Sequence, residues 1–291
     1  MPAAAAGISE VREALGAAID GLAAAGVEEA RLDAELLLGG AMGCDRAALI
    51  ADPGAGVPAS AARAFGEMVR RRLRREPVAY ILGTKGFRRL ELAVDRRVLI
   101  PRPETELLVE IALERRPARV LDVGTGSGAI ALAVADELPD CAVTATDTSP
   151  GALEVARANA ERLGLADRVR FLPGSVPEVG EFDLILANLP YVAERDWASL
   201  QPEVTQWEPR EALLAGTDGL DAYRALFSDR CRAFPRIAQE SSTAVGIVAV
   251  AVEVGEGQAP AVAELVRGAG FGRVETRRDL AGIERVVLGE R

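Results

Sequence analysis

Four stretches of this 291-residue chain carry residues able to act on a ligand: PRPETE at 101–106, VLDVGTGSGAIALAVA at 120–135, TATDTS at 144–149 and FDLILANLPY at 182–191. In the second, a short apolar run ends on Asp122 and Val123. Gly124, Thr125, Gly126, Ser127 and Gly128 follow, and a helix begins. Glycines there allow a sharp turn and a close approach of backbone to ligand. Asp147 stands nineteen residues past Gly128, at the end of the next apolar run, where a carboxylate can accept hydrogen bonds from a ribose diol. In the fourth stretch a buried run ends on an amide, Asn188. Pro190 then holds Leu189 extended, and a phenol, Tyr191, follows.

The glycine pattern alone does not name a ligand, since a nicotinamide dehydrogenase would share the turn and the acidic strand end. Asp122 is the distinguishing detail. Ahead of the glycines it can order the loop, cap the helix, or face a positively charged cofactor such as the amino-acid end of S-adenosylmethionine. Asp147 can cap the helix after it or hold a ribose.

On these motifs the sequence resembles the class I methyltransferases. With PRPETE, LDVGTGSGAIALA at 121–133, NLPY at 188–191, EPREALLAGTDGLDAYR at 208–224 and EVGEGQ at 253–258, it resembles more closely the peptide chain release factor glutamine N5-methyltransferases, over almost the whole chain. The resemblance implies S-adenosyl-L-methionine as cofactor, held by Asp122, Gly124, Thr125, Gly126, Ser127, Gly128, Asp147 and Asn188. It implies the Gly-Gly-Gln loop of class 1 release factors as substrate. Two departures stand out. Where the family carries Gly-Asp-Trp, this chain has Gly174, Ser175 and Val176, so Ser175 is a neutral partner for an adenine and Val176 packs without stacking. The family's Asn-Pro-Pro-Tyr is here Asn-Leu-Pro-Tyr.

Methyl transfer from a sulfonium to an amide or to an adenine amine meets a delocalised nitrogen lone pair. Accepting hydrogen bonds from the NH2 group polarises and aims it. The Asn188 side-chain oxygen and the Leu189 carbonyl can both accept, Pro190 fixes the backbone, and Tyr191 can pack over a flat group. These four are the candidate catalytic and substrate-binding residues, with Arg102 as a further contact. No base is required before transfer. The tetrapeptide itself leaves amide and adenine open, because rRNA adenine dimethyltransferases have a similar one. The rival reading, an adenine N6 methyltransferase on RNA or DNA, would sit better in a basic chain with its extra domain after the catalytic one. Glu253 and Gln258 either brace the Asn188 loop or end a strand.

Composition narrows the classes. The chain contains no histidine and has a formal net charge of -10. Histidine general bases and histidine metal ligands are thereby excluded. The acidic balance disfavours a nucleic-acid coat. Cys44, Cys141 and Cys231 are scattered and read as free thiols, with no metal site. The start of the chain has no signal-peptide pattern, and GIVAVAVEV at 246–254 is too short to span a membrane. The expectation is a cytoplasmic monomer.

The elements that must position these residues follow from periodicity. Apolar residues at helical spacing cover 8–38, with Ser9 capping a first helix and a second helix over roughly 28–39 that turns Leu32, Leu36 and Leu37 inward. Another helix covers 59–75, and its arginines in RRRLRRE at 70–76 read as a solvated face or a partner contact. Segments 80–87 and 90–100 read as a hairpin. From 118 onward strands alternate with helices, which predicts a mostly parallel α/β sheet. Residues 192–218 read as an ordered loop, 219–234 as a helix, and the last two strands as an antiparallel edge. The expected fold is therefore a Rossmann-like class I methyltransferase sheet in 101–291, with a helical substrate-recognition domain in 1–76 and a linking β-hairpin in 77–100.

Overall fold

The structure, a computed structural model, describes residues 10–177, 182–228 and 249–291. The chain divides into two compact units. One holds the described residues up to Gly83 together with Gln201–Trp207, and the other holds Thr84–Leu200 and Glu208–Arg291.

The first unit is helical: α1 (Val11–Ala24), α2 (Ala30–Met42), α3 (Arg46–Ala51), α4 (Ala59–Leu73) and α5 (Val78–Leu82), with the short helix Pro202–Trp207. Val11, Leu22, Leu37, Leu38 and Phe65 form its core. The inward face of α2 is Ala34, Leu37 and Leu38, whereas Leu32 and Leu36 are only half-buried. The expected cap Ser9 lies outside the described residues.

The arginine run differs from its reading as a mainly solvated face. Arg72 is buried, donating to Asp33 (2.6 Å) and to Glu203 (2.6 Å). Arg75 reaches the other Glu203 oxygen at 2.7 Å, and Arg71 pairs with Glu76. Arg70 and Arg74 are the exposed ones. Burial of a guanidinium is tolerated because two carboxylates accept from it.

The segment 80–87 is not a single strand. Pro77 sets the entry of α5 with φ -58° and Gly83 ends it at φ +77°, a proline start and glycine stop that outweigh the β-propensity of Tyr80 and Ile81. The hairpin is shorter than expected, β1 (Thr84–Phe87) against β2 (Leu90–Ala93), antiparallel with Thr84 opposite Ala93.

The second unit contains α6 (Glu106–Arg115), β3 (Arg119–Val123), α7 (Ala129–Glu137), β4 (Ala142–Asp147), α8 (Pro150–Arg162), β5 (Val169–Pro173) and β6 (Leu184–Ala187). The chain then visits the first unit as α9 (Pro202–Trp207) and returns for α10 (Asp221–Leu226), β7 (Ala249–Glu253), α11 (Ala259–Gly268), β8 (Arg273–Arg278) and β9 (Glu284–Glu290). The expected loop over 192–218 holds 3-10 turns at Glu194–Ser199 and Arg210–Ala212 besides α9. Of the expected helix over 219–234, Asp221–Leu226 falls within the described residues.

Seven strands form one sheet in the order β5-β4-β3-β6-β7-β9-β8, parallel from β5 to β7, with β9 antiparallel to both its neighbours. Both faces are covered. Val120, Leu184 and Leu186 pack toward α6 and α7, while Leu121, Val123 and Ile185 pack toward α10 and α11. Strands buried on both sides explain the unbroken apolar runs in the sequence.

Candidate active site

The strand order reverses between β3 and β6, so the connections leaving their carboxyl ends diverge and open a crevice. Val123 of β3 is the register partner of Ala187 of β6. The glycine loop and the Asn188 loop therefore begin side by side. They line one cleft open to solvent, together with Pro101, Thr105, Asp147, Ser175 and Pro209.

The glycine loop is tied down at its root, where the Gly124 and Thr125 N–H groups both donate to the Thr146 carbonyl at 2.9 Å. Gly124 has φ +76°, a conformation that favours glycine, and a Cβ there would come 3.3 Å from Leu189 Cδ2 and press on that side chain. Ser127 is buried on the cleft wall, and its carbonyl accepts from Asn159 Nδ2 at 2.9 Å. Asn159 also exchanges two hydrogen bonds with the Ala93 backbone, fastening the loop to β2.

The two aspartates occupy different places. Asp122 is fully buried behind the loop, accepting from Thr125 Oγ1 (2.6 Å) and from the Ala131 N–H (3.2 Å) in the first turn of α7. Its Oδ1 is buried without a partner. Burial pushes its carboxyl up to about 7, against the pull of those two donors, and Asp147 nearby adds to the rise. Asp147 lies on the cleft wall. One oxygen accepts from the Gly126 N–H at 2.9 Å and the other from the Ser149 N–H at 2.8 Å, yet the side chain stays half-exposed, with lone pairs left to accept a hydroxyl.

Asn188 is oriented by a neighbour distant in sequence. Its Nδ2 donates to Thr105 Oγ1 at 3.0 Å, while Oδ1 is buried and has no partner. Both Asn188 and Thr105 line the cleft. Thr105 stands beside the buried Glu253 carboxyl, whose pKa burial pushes up to about 7 against the pull of the threonine hydroxyl. Tyr191 packs beside the cluster around Val252 and Tyr223, and burial raises its phenol to about 12, so it stays neutral. Its carbonyl accepts from Gln258 Nε2 at 2.9 Å, while Gln258 Oε1 takes the Gly255 N–H at 3.0 Å. Gln258 thus braces the tetrapeptide.

Leu189 and Pro190 line the cleft, as does Ser175, which is exposed. Val176 packs against the cluster on the Leu121 face of the sheet. The Arg102 guanidinium pairs with Glu208, whose other oxygen accepts from the Ile100 N–H at 3.1 Å. This buried carboxylate joins the PRPETE loop to the EPREA segment, and Pro101 of one and Pro209 of the other both line the cleft. Glu106 accepts from the Arg88 N–H at 2.9 Å and so ties α6 to the hairpin turn. Thr105, Asn159 and Glu208 were not singled out from sequence. Only the setting of Thr105 within PRPETE, and of Glu208 at the head of EPREA, marked the stretches they lie in. Among the described residues no cluster of acidic and thiol side chains is arranged for a metal, and no helix is long and apolar enough to cross a membrane.

A parallel sheet of this order, with a glycine loop at its switch point and an amide at the end of the next strand, has the class I methyltransferase fold. The catalytic domain of hMettl16 shares it at a TM-score of 0.53 and 15% identity, over 68% of this chain and 74% of that one. Residues 13–83 match the PrmC N-terminal domain family and residues 103–205 the methyltransferase small domain family. The release factor glutamine methyltransferase of Geobacter sulfurreducens is 44% identical over 92% of each chain. That of Cereibacter sphaeroides is 43% identical over 94% of this chain and 96% of its own. The chain belongs to the release factor glutamine methyltransferase family.

Proposed function

We propose that this protein methylates the side-chain N5 of the glutamine in the Gly-Gly-Gln motif of class 1 peptide chain release factors, using S-adenosyl-L-methionine. The observation that carries the reading is the Asn188 amide: Oδ1 is buried, without a partner, on the wall of the cleft. An orphaned acceptor there is costly unless a ligand donor fills it, and a primary amide supplies such a donor. Family membership favours glutamine over adenine as the source of that NH2 group.

The residues present fit the cofactor. Gly124 to Ser127 give a cleft wall without bulky side chains, Asp147 offers acceptors for a ribose diol, Ser175 stands exposed as a partner for an adenine, and the buried Asp122 carboxylate supplies negative potential behind the loop. Bound there, the cofactor would supply an electrophilic methyl group.

The protein's own part is to hold and aim. Asn188 Oδ1 accepts one amide N–H and the Leu189 carbonyl the other, which moves electron density toward the nitrogen and fixes its direction. Pro190 keeps Leu189 extended. Tyr191, neutral and packed, gives a flat wall. The amide proton leaves after transfer, so no side chain of this histidine-free chain need act as a strong base.

Incubation with labelled S-adenosylmethionine and either a class 1 release factor or a structured RNA tests the reading, with mass spectrometry locating the product. Label on the Gly-Gly-Gln glutamine is the expected result. Label on adenine alone would overturn it.

A further inference from the structure

The Asn188 amide can sit in its pocket two ways round, and only one serves the chemistry. With Oδ1 toward the cleft it accepts from a substrate NH2 group. Turned over, it would present a donor to a donor. The two ends of an amide have nearly the same shape, so packing cannot choose between them, and the choice must come from hydrogen bonding.

We infer that Thr105, supported by Glu253, is the positioning residue that sets this choice. Its Oγ1 accepts from Asn188 Nδ2 at 3.0 Å, and the Glu253 carboxyl beside it is the acceptor to which its hydroxyl proton can go. A hydroxyl has one proton and free lone pairs. Once that proton is committed to a carboxylate, the oxygen can only accept from Asn188. Glu253 therefore sets the polarity of Thr105, and Thr105 that of Asn188.

The three groups come from separate parts of one unit: Asn188 follows β6, Thr105 ends the 3-10 turn Pro103–Thr105, and Glu253 ends β7. All are held firmly. Thr105 is 4% exposed and Glu253 2% exposed. The Glu253 backbone carbonyl accepts from the Tyr223 hydroxyl at 2.7 Å, and Glu253 Oε2 is buried with no partner. A carboxylate kept at that desolvation cost, at the end of a strand adjacent to β6, is more than a strand terminus requires. The inference rests on the proposed methylation of a primary amide, but the orientation of Asn188 is measurable without turnover.

The test uses the full-length protein with Thr105→Val, Thr105→Ser, Glu253→Gln and Glu253→Leu. Valine matches threonine in shape without the hydroxyl, serine restores the hydroxyl, and glutamine keeps an acceptor. Methylation of a class 1 release factor should fall about 10–100-fold in kcat for Thr105→Val, the scale of loss from a misaimed reacting group, with KM within about threefold. Thr105→Ser and Glu253→Gln should stay within about threefold of the parent, and Glu253→Leu should follow Thr105→Val. In cofactor-free protein, the Asn188 side-chain NH2 protons, observed by NMR, should exchange slowly in the parent and in Thr105→Ser, and rapidly in Thr105→Val. If Thr105→Val folds and keeps both its kcat and the slow exchange, the inference is overturned. If serine fails to rescue, the residue acts through packing and the inference also falls. A parent enzyme that leaves release factor unmodified would instead sink the proposed function, while the exchange measurement would still decide the positioning role.

Discussion

Val123 and Ala187 face one another on adjacent parallel strands, so Gly124 and Asn188 leave the sheet as neighbours. The loop that admits a cofactor and the amide that aims a substrate are thus placed by one pair of strands. An error in the β3–β6 register would separate them.

Asn188→Ala should lower single-turnover methyl transfer by about 10²–10³-fold, as loss of a preorganised polar contact to a reacting group does. Cofactor affinity should hold, since the side chain's hydrogen bond is to Thr105. Leu189→Pro should stay within several-fold of the parent, because the carbonyl survives and Pro190 already restricts the residue. Rapid-quench kinetics on release factor would check both. A larger loss from Leu189→Pro than from Asn188→Ala would move the useful atom at 189 from the carbonyl to the N–H or the side chain.

Asp147→Ala should weaken S-adenosylmethionine binding by roughly 1.5–3 kcal/mol through loss of a charge-assisted hydrogen bond. Asp147 also accepts from the Gly126 and Ser149 N–H groups, so Asp147→Asn is the better probe: it keeps an acceptor oxygen and should lose less. Titration calorimetry showing the two variants equal to the parent would remove the ribose assignment.

The sequence made the strands, the glycine loop and the tetrapeptide legible, because each is a local pattern of apolar runs and turn residues. What it could not show are partners brought together from afar. Thr105 lies 83 residues from Asn188, with no local sign that its hydroxyl faces an amide. The arginine run reads as a water-facing stripe because Glu203, which buries Arg72, lies 131 residues away. Tyr80 and Ile81 suggest a strand by type, and only the caps at Pro77 and Gly83 reveal the helical turn between them.

Between roughly pH 4 and 7 two buried carboxyls should favour the folded state as pH falls. Burial raises Asp122 and Glu253 to about 7 in the folded protein, while both titrate near 4 when unfolded. In that window these two groups bind more protons in the folded state, so their contribution to stability is greatest below the unfolded values and is lost as pH rises through the folded ones. Each group contributes a slope of up to about 1.4 kcal/mol per pH unit. Urea melts across the range should show the parent losing stability relative to Asp122→Asn as pH rises. A difference that stays constant or changes the other way would contradict the assignment.

Gly219→Ala should impair both stability and turnover. Its φ is +78°, and a Cβ would lie 2.4 Å from the Tyr191 carbonyl and 2.7 Å from Gln258 Nε2. Left-handed strain of about 1–2 kcal/mol is expected, and the carbonyl that Gln258 holds must move. Melting temperature and kcat should fall together, whereas Gln258→Ala should lower kcat with a smaller thermal shift.

Arg72→Ala should destabilise the helical unit by about 3–5 kcal/mol, the cost of leaving buried carboxylates without their partner. Asp33 would lose its guanidinium, and Glu203 one of its two, keeping Arg75. Alanine at the exposed Arg70 or Arg74 should change stability by about 0.5 kcal/mol or less. Denaturation followed by circular dichroism separates the cases. Partner recognition by this helix is accordingly better probed at 70 and 74, where loss of release-factor methylation would not be confounded by unfolding.

The membership of Gln201–Trp207 in the first unit bears on the order in which the chain folds as it is made. Helices α1 to α5 are complete about 120 residues before Glu203 is synthesised. At roughly 5–20 residues per second that interval is about 6–24 s. Throughout it Arg72 has one of its two carboxylates, Asp33, and must keep its second pair of donors in water. The unit that begins folding first is therefore completed only after β3 to β6 have been translated and Glu203 has left the ribosome, and a nascent chain stalled before residue 203 should be more readily cleaved by protease in α4 than the full-length chain after release.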